Sequence, residues 1–274
     1  MPDMMTLLPF AALLLVIGAV AGLLAGLLGV GGGIVLVAAF FYTFQGLGYD
    51  SPHLMQICLG TSLATIIVTS LRSVFAHARK GVVDWTVLRS WAPGIAVGAV
   101  LGVLVAASLR STALQMMFGV LGLSIGLYMA FGRSSWRLGT DMPRGWRRWL
   151  LSPVVGFLSV LMGIGGGSFG VPLMTLYGRP IHQAVATAAG FGVLIAVPSV
   201  IGFLLVDVAA SSKPPLTVGA VNLPAFVLVI AMTVLTTPLG ARLAHRMDPK
   251  PLKRVFAVFL CGVALNMLRK AVLG

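Results

Sequence analysis

The chain contains no glutamate, and its 274 residues hold only six aspartates. Asp3, Asp50, Asp141, Asp207 and Asp248 fall in connecting or terminal stretches, so Asp84 alone sits at the edge of an apolar run. Paired carboxylates for acid–base work or for binding a hard cation are therefore excluded. There are two cysteines, Cys58 and Cys261, both inside apolar segments and far apart. They make neither a metal motif nor a disulfide framework, and buried thiols are expected. HExxH, GxSxG and Walker A patterns are missing. No enzyme activity, cofactor or nucleotide site is expected. Only 9% of residues are charged, against about 25% in a soluble domain.

What the chain has in quantity is apolar surface: 58% hydrophobic residues and a mean hydropathy of +1.03. Apolar runs alternate with short polar connections, as expected where about 20 residues cross a bilayer as helix. The alternating pattern of a membrane barrel is absent. The expectation is an all-α integral membrane protein with about 8–10 spanning or half-spanning helices. Ten segments read as 5–28, 30–44, 53–77, 88–108 and 113–132, then 149–164, 166–178, 181–206, 218–243 and 252–272. Met1–Met5 lacks the positive start of a secretory signal, so the first segment is expected to remain as a transmembrane helix. Gly22/Gly26, Gly98/Gly102 and Gly122/Gly126 have the GxxxG spacing of close helix crossings.

The most informative pattern is a duplication. Gly29-Val30-Gly31-Gly32-Gly33 recurs as Gly163-Ile164-Gly165-Gly166-Gly167, each time inside an apolar segment. Glycine costs about 1 kcal/mol in a helix interior relative to alanine, so each run should break its helix. Gly81-Val82-Val83-Asp84-Trp85 matches Gly219-Ala220-Val221-Asn222-Leu223 at a shift of 138 residues, and His53 matches His182 at 129. Changing shifts mean loop insertions, which leave the middle register open. The expected organisation is a first transmembrane repeat (1–132), an Arg-rich cytoplasmic linker (133–148) and a second transmembrane repeat (149–274).

The net charge of +13 does not indicate nucleic-acid binding, because the basic residues lie between apolar segments without interleaved aromatics. They read as orientation signals and contacts to membrane lipid. One arrangement places all of the 19 Lys and Arg residues inside except Arg110, Lys213, Arg269 and Lys270. It starts the two halves on opposite sides, which makes the repeats inverted and predicts a site near the midplane between them. Segments 30–44 and 166–178 are short for full spans and could be re-entrant or tilted.

Helices restarting after the glycine runs would present free N–H groups and about half a positive charge, which suits an anion. The candidate substrate-binding residues are therefore Gly31, Gly32 and Gly33 with Gly165, Gly166 and Gly167. Ser168 adds a hydroxyl where the first half has Ile34. Thr61, Ser62 and Thr187 could donate to an oxyanion or bond back to their own helix. Arg72 could enter the bilayer as an anion ligand or snorkel to the inner surface. His53 and His182 could carry protons or simply start helices. Asp84 and Asn222 are expected N-caps. Gly165–Gly170 fits GxGxxG, but no strand precedes it, so a dinucleotide site is not expected.

Several of these stretches resemble the TauE/SafE-like sulfite exporter family. They include Gly26–Gly33, Gly163–Gly167 followed by Val171-Pro172, and His182–Thr187. Gly60-Thr61-Ser62, Gly81–Trp85 and Pro238–Leu243 complete the set. The resemblance implies a bacterial inner-membrane permease for small anions such as sulfite or organosulfonates. Thr187-Ala188 stands where a Thr-Ser pair is common in the family, and Asn222 stands for its Asp, which shifts weight onto backbone donors. The expected function is a secondary transporter, exporting a small sulfur-containing oxyanion by alternating access, with assembly into a homo-oligomer left open. The alternatives are a permease for another small anion and a non-transporting membrane anchor or assembly subunit.

Overall fold

In a computed structural model, the described residues are 4–28, 32–132, 136–209, 212–244 and 249–273. They form ten helices: α1 (Met4–Leu28), α2 (Gly33–Gly46), α3 (Leu54–Arg79), α4 (Trp85–Ser108) and α5 (Ser111–Phe131), then α6 (Gly145–Leu161), α7 (Gly167–Leu176), α8 (Ile181–Leu204), α9 (Leu223–Ala244) and α10 (Pro249–Leu273). A two-residue ladder, β1 (Thr217–Val218) with β2 (Val221–Asn222), precedes α9. Seven helices are long and apolar enough to cross a membrane. At about 1.5 Å per residue, α2 (14 residues) and α7 (10 residues) reach only about 21 and 15 Å. Neither can cross a hydrocarbon core about 30 Å thick.

The centre of the bundle is the pair α3 and α8, whose apolar windows are 78% and 61% buried. The short helices α2 and α7 dock on them, α2 on α3 and α7 on α8. Three outer pairs surround this centre: α1 with α9, α4 with α6, and α5 with α10. Glycines form the seams between these partners. A Cβ at Gly102 would meet Val160 of α6, one at Gly122 would meet Ala264 of α10, and one at Gly22 would meet the Thr233 backbone of α9. The GxxxG spacing thus marks packing faces, as expected. Trp91 of α4 stacks on Phe191 of α8 with ring centroids 6.3 Å apart, tying an outer pair to the centre.

The second helix break falls on its glycine run; of the first run, Gly29–Gly31 lie outside the described residues. α1 stops at Leu28 and α2 starts at Gly33; α6 stops at Leu161 and α7 starts at Gly167. Gly32, the residue before α2, has φ 70°, a conformation that costs glycine little and other residues much. Five helix starts, those of α2, α4, α6, α9 and α10, differ from the expected boundaries by three to five residues, and three of them are instructive. α4 begins at Trp85 and α9 at Leu223 because Asp84 and Asn222 cap them, each accepting from the N–H three residues on at 3.0 and 2.9 Å. α6 begins at Gly145, inside the stretch expected as linker. Its first turn exposes Trp146 and Trp149 beside Arg147 and Arg148, the composition of a membrane–water boundary.

Candidate functional site

The two breaks meet inside the protein. A Cβ on Gly33 would stand 2.9 Å from the Gly163 carbonyl oxygen and 2.9 Å from the Ile164 Cα. Ser62, wholly buried on α3, donates to that Gly163 carbonyl at 2.8 Å and lies 3.4 Å from the Gly33 carbonyl. Its hydroxyl therefore holds the junction together. Gly31 lies outside the described residues. Gly32 and Gly33 are buried against Ala21 and Gly163–Ile164, and the next side chain, Ile34, is 1% exposed. The start of α2 is consumed in packing.

The start of α7 is different. Its first internal amide bond runs from Gly170 N–H to the Gly166 carbonyl at 2.7 Å. The first-turn N–H groups of Gly167, Ser168 and Phe169 have no acceptor within the helix, and no side chain caps them. Gly165, Gly166 and Gly167 line a small chamber of about 30 Å³, enough to hold ordered water. Glycine is required at the second position because a Cβ on Gly166 would stand 2.6 Å from the Ala188 carbonyl and 2.8 Å from the Gly192 nitrogen. This close approach of α7 to α8 brings the helix end to the chamber.

Opposite the glycines stand three hydroxyls of α3: Thr69, Ser70 and Ser73. Thr69 donates back to the Thr65 carbonyl at 3.2 Å, and Thr237 of α9 donates to Thr233 at 2.6 Å. Both can only accept from a ligand. Among the described residues, neither Ser70 nor Ser73 makes a side-chain hydrogen bond. Ser70 is 6% exposed, and its Oγ lies 3.9 Å from where a Gly165 Cβ would be. These two serines keep free protons in the chamber. The remaining wall is apolar: Ala25 of α1 with Ala188 and Ala189 of α8. Helices from both sides of the linker thus contribute.

The other candidate residues lie elsewhere. Thr61 Oγ1 accepts from the Asn222 N–H at 2.9 Å, and Thr187 Oγ1 accepts from the Asp84 N–H at 2.9 Å. Each threonine of a central helix pins the capped start of an outer helix from the other half. These bonds align the central helices at a shift of 126 residues, so His53 and His182 are not counterparts. His53 is half-buried at the start of α3, whereas His182 is exposed on α8. Arg72 is exposed and does not line the chamber. Ser168 is 3% exposed with an unpartnered Oγ, yet it sits outside the chamber lining. Arg179 reaches Asp84 Oδ2 at 3.6 Å.

Sequence reasoning passed over Ser70 and Ser73, although a signal was present. Ser62, Thr65, Thr69 and Ser73 recur at spacings of three, four and four, which is one face of a helix. That hydroxyl stripe starts at the junction of the breaks and ends in the chamber. Its first members bond to carbonyls of the breaks and of their own helix, and its last is open.

Among the described residues no group of three or more His, Cys or Asp side chains could hold a metal ion. No catalytic constellation accompanies the chamber. The arrangement is a small, uncharged, donor-lined cavity at a helix end, enclosed by membrane-length helices.

Comparison with known proteins agrees with this geometry. The sequence profile described as "Sulfite exporter TauE/SafE" matches residues 14–267. A probable membrane transporter protein of Haemophilus influenzae is 31% identical over 261 residues, covering 95% of this chain and 99% of the relative. One from Methanocaldococcus jannaschii is 26% identical over 273 residues, covering 97% of each. Another, from Xylella fastidiosa, is 29% identical over 258 residues, covering 92% of each. No solved structure matches the chain. A multi-pass membrane transporter acting on a small solute, the chain belongs to the sulfite exporter TauE/SafE family.

Proposed function

We propose that this permease exports a small sulfur-containing oxyanion, such as sulfite or an organosulfonate, across a bacterial inner membrane by alternating access. One observation carries the reading: unpaired Ser70 and Ser73 hydroxyls share a small, partly open chamber with the uncapped start of α7. Hydroxyl and amide donors around a helix N-terminus are what a desolvated oxyanion requires. Gly165, Gly166 and Gly167 let the anion approach the backbone, and Gly32 and Gly33 shape the opposing break. The chamber is small in this conformation, about 30 Å³, so carrying an oxyanion across the protein needs its walls to move. That need is the physical reason for alternating access.

Inverted repeats are part of the proposal. The threonine-to-cap bonds and the pairs α1/α9 and α6/α4 recur with the halves exchanged, which supports that relation. Export of an anion from a negative-inside cell is downhill by about 2.3 kcal/mol per charge for each 100 mV. No coupling carboxylate is required, and the chamber contains none. The test is a flux screen of sulfite, thiosulfate and sulfonates in proteoliposomes holding purified protein. Sulfite or sulfonate should leave preloaded vesicles, and the double variant Ser70→Ala with Ser73→Ala should insert but lose that flux. Normal efflux by the double variant refutes the site.

A further inference from the structure

Resting on that reading, we propose that the site selects its oxyanion by charge state: it carries the singly charged form and excludes the doubly charged form. For sulfite this means that bisulfite is the species moved, and that each anion takes a proton with it.

The argument starts from what surrounds the chamber. The titratable or charged side chains of the five helices that wall it are Cys58, Arg72, His77 and Arg79 on α3, His182 on α8 and Arg242 on α9. None lines the chamber, and α1 and α7 carry none. Arg179, just before α8, is engaged with Asp84. Among the described residues that line the chamber, the positive electrostatics come from the start of α7, equivalent to about half an elementary charge. Ser70 and Ser73 contribute two neutral donors, while Thr69 and Thr237 offer only acceptor lone pairs because their protons are used.

A single negative charge is roughly matched by half a charge and two donors. A double charge is not, because the cost of removing an ion from water grows with the square of its charge. Arginine or lysine commonly neutralises the second charge of a dianion, and here the walls carry alanine instead. The inference also uses the second orphan of the region: Ser168, 3% exposed and without a partner, is neutral like the rest.

Sulfite is suited to the test because its second ionisation falls near neutral pH. Methanesulfonate stays monovalent and sulfate divalent over the same range. Proteoliposomes with the full chain are loaded with each anion at fixed total concentration, with a pH dye trapped inside and protein-free vesicles subtracted. Sulfite efflux should fall by about tenfold per pH unit once the dianion dominates, while methanesulfonate efflux stays level and sulfate stays inside. As bisulfite leaves, the remaining sulfite dianion takes up a proton, so the lumen should turn alkaline with sulfite and not with methanesulfonate. Ser73→Lys, at a half-buried edge of the chamber, should admit sulfate and flatten the sulfite profile. Sulfite efflux that is level or rises with pH, or sulfate moving as fast as methanesulfonate, overturns the charge-state selection while leaving an anion permease. A protein that moves none of the three overturns the underlying site as well.

Discussion

Two helix starts built from the same glycine pattern have opposite fates. At α2, Gly33 lies against the other break and Ile34 is sealed in the core; at α7, Gly165–Gly167 stand open to the chamber and Ser168 keeps an unpaired hydroxyl. The backbone motif sets where a helix stops and restarts. The side chain that follows, and the element across from it, decide whether the restart becomes packing or a polar wall. The same glycine pattern stands at both starts, and among the described residues only the second shares a chamber with unpaired hydroxyls.

Breaking the packed start should show most strongly in stability. Ile34→Ala removes a buried branched side chain and should cost about 2–5 kcal/mol, read as a lowered thermal midpoint in detergent, with anion preference unchanged. Ser168→Ala deletes a hydroxyl with no partner and should leave that midpoint where it is. The open start should respond in flux instead. Ser70→Ala or Ser73→Ala removes a donor to a charged ligand, worth about 1.5–3 kcal/mol, so efflux should fall by about 10- to 100-fold while the midpoint holds.

The two threonine pins sharpen the comparison at a smaller scale. Thr61→Val strands the buried Asn222 N–H and should cost about 1–3 kcal/mol. Thr187→Val should cost less, because Asp84 is only partly buried and water can take over. A larger loss for Thr187→Val in the same melting assay would reverse that ranking. Smallest of all, Arg179→Gln removes a partly exposed ion pair, so a change within about 1 kcal/mol is expected.

Helix existence was legible in the sequence because hydropathy and glycine content act locally. All ten segments became helices, and the glycine runs became breaks. The caps at Asp84 and Asn222 were legible for the same reason: residue type and loop pattern repeat together. The start of α9 was placed five residues early because apolar character continues across its cap, where β1–β2 lies, and that of α4 three residues late because Trp85-Thr86 begins the helix before the main apolar run. The site was only half legible. Backbone donors at Gly165–Gly167 follow from the break itself. Thr61, Thr187, Ser70 and Ser73 look alike in sequence, and what separates them is tertiary: Thr61 meets an amide 161 residues away, while Ser70 packs on Gly192 and keeps its hydroxyl unpaired at the chamber. The three-four-four spacing on α3 marks Ser73 alone among them, and says nothing of Ser70.

The outer pairs have a mechanical consequence. Each of α1/α9, α4/α6 and α5/α10 joins one helix from before the linker to one from after it, and so does the central α3/α8. The halves are interleaved like the fingers of clasped hands, so a body that moves during transport follows the seams and draws on both ends of the chain. A polypeptide cut between α5 and α6 should therefore yield fragments that are insoluble alone yet complement each other when made together in one cell.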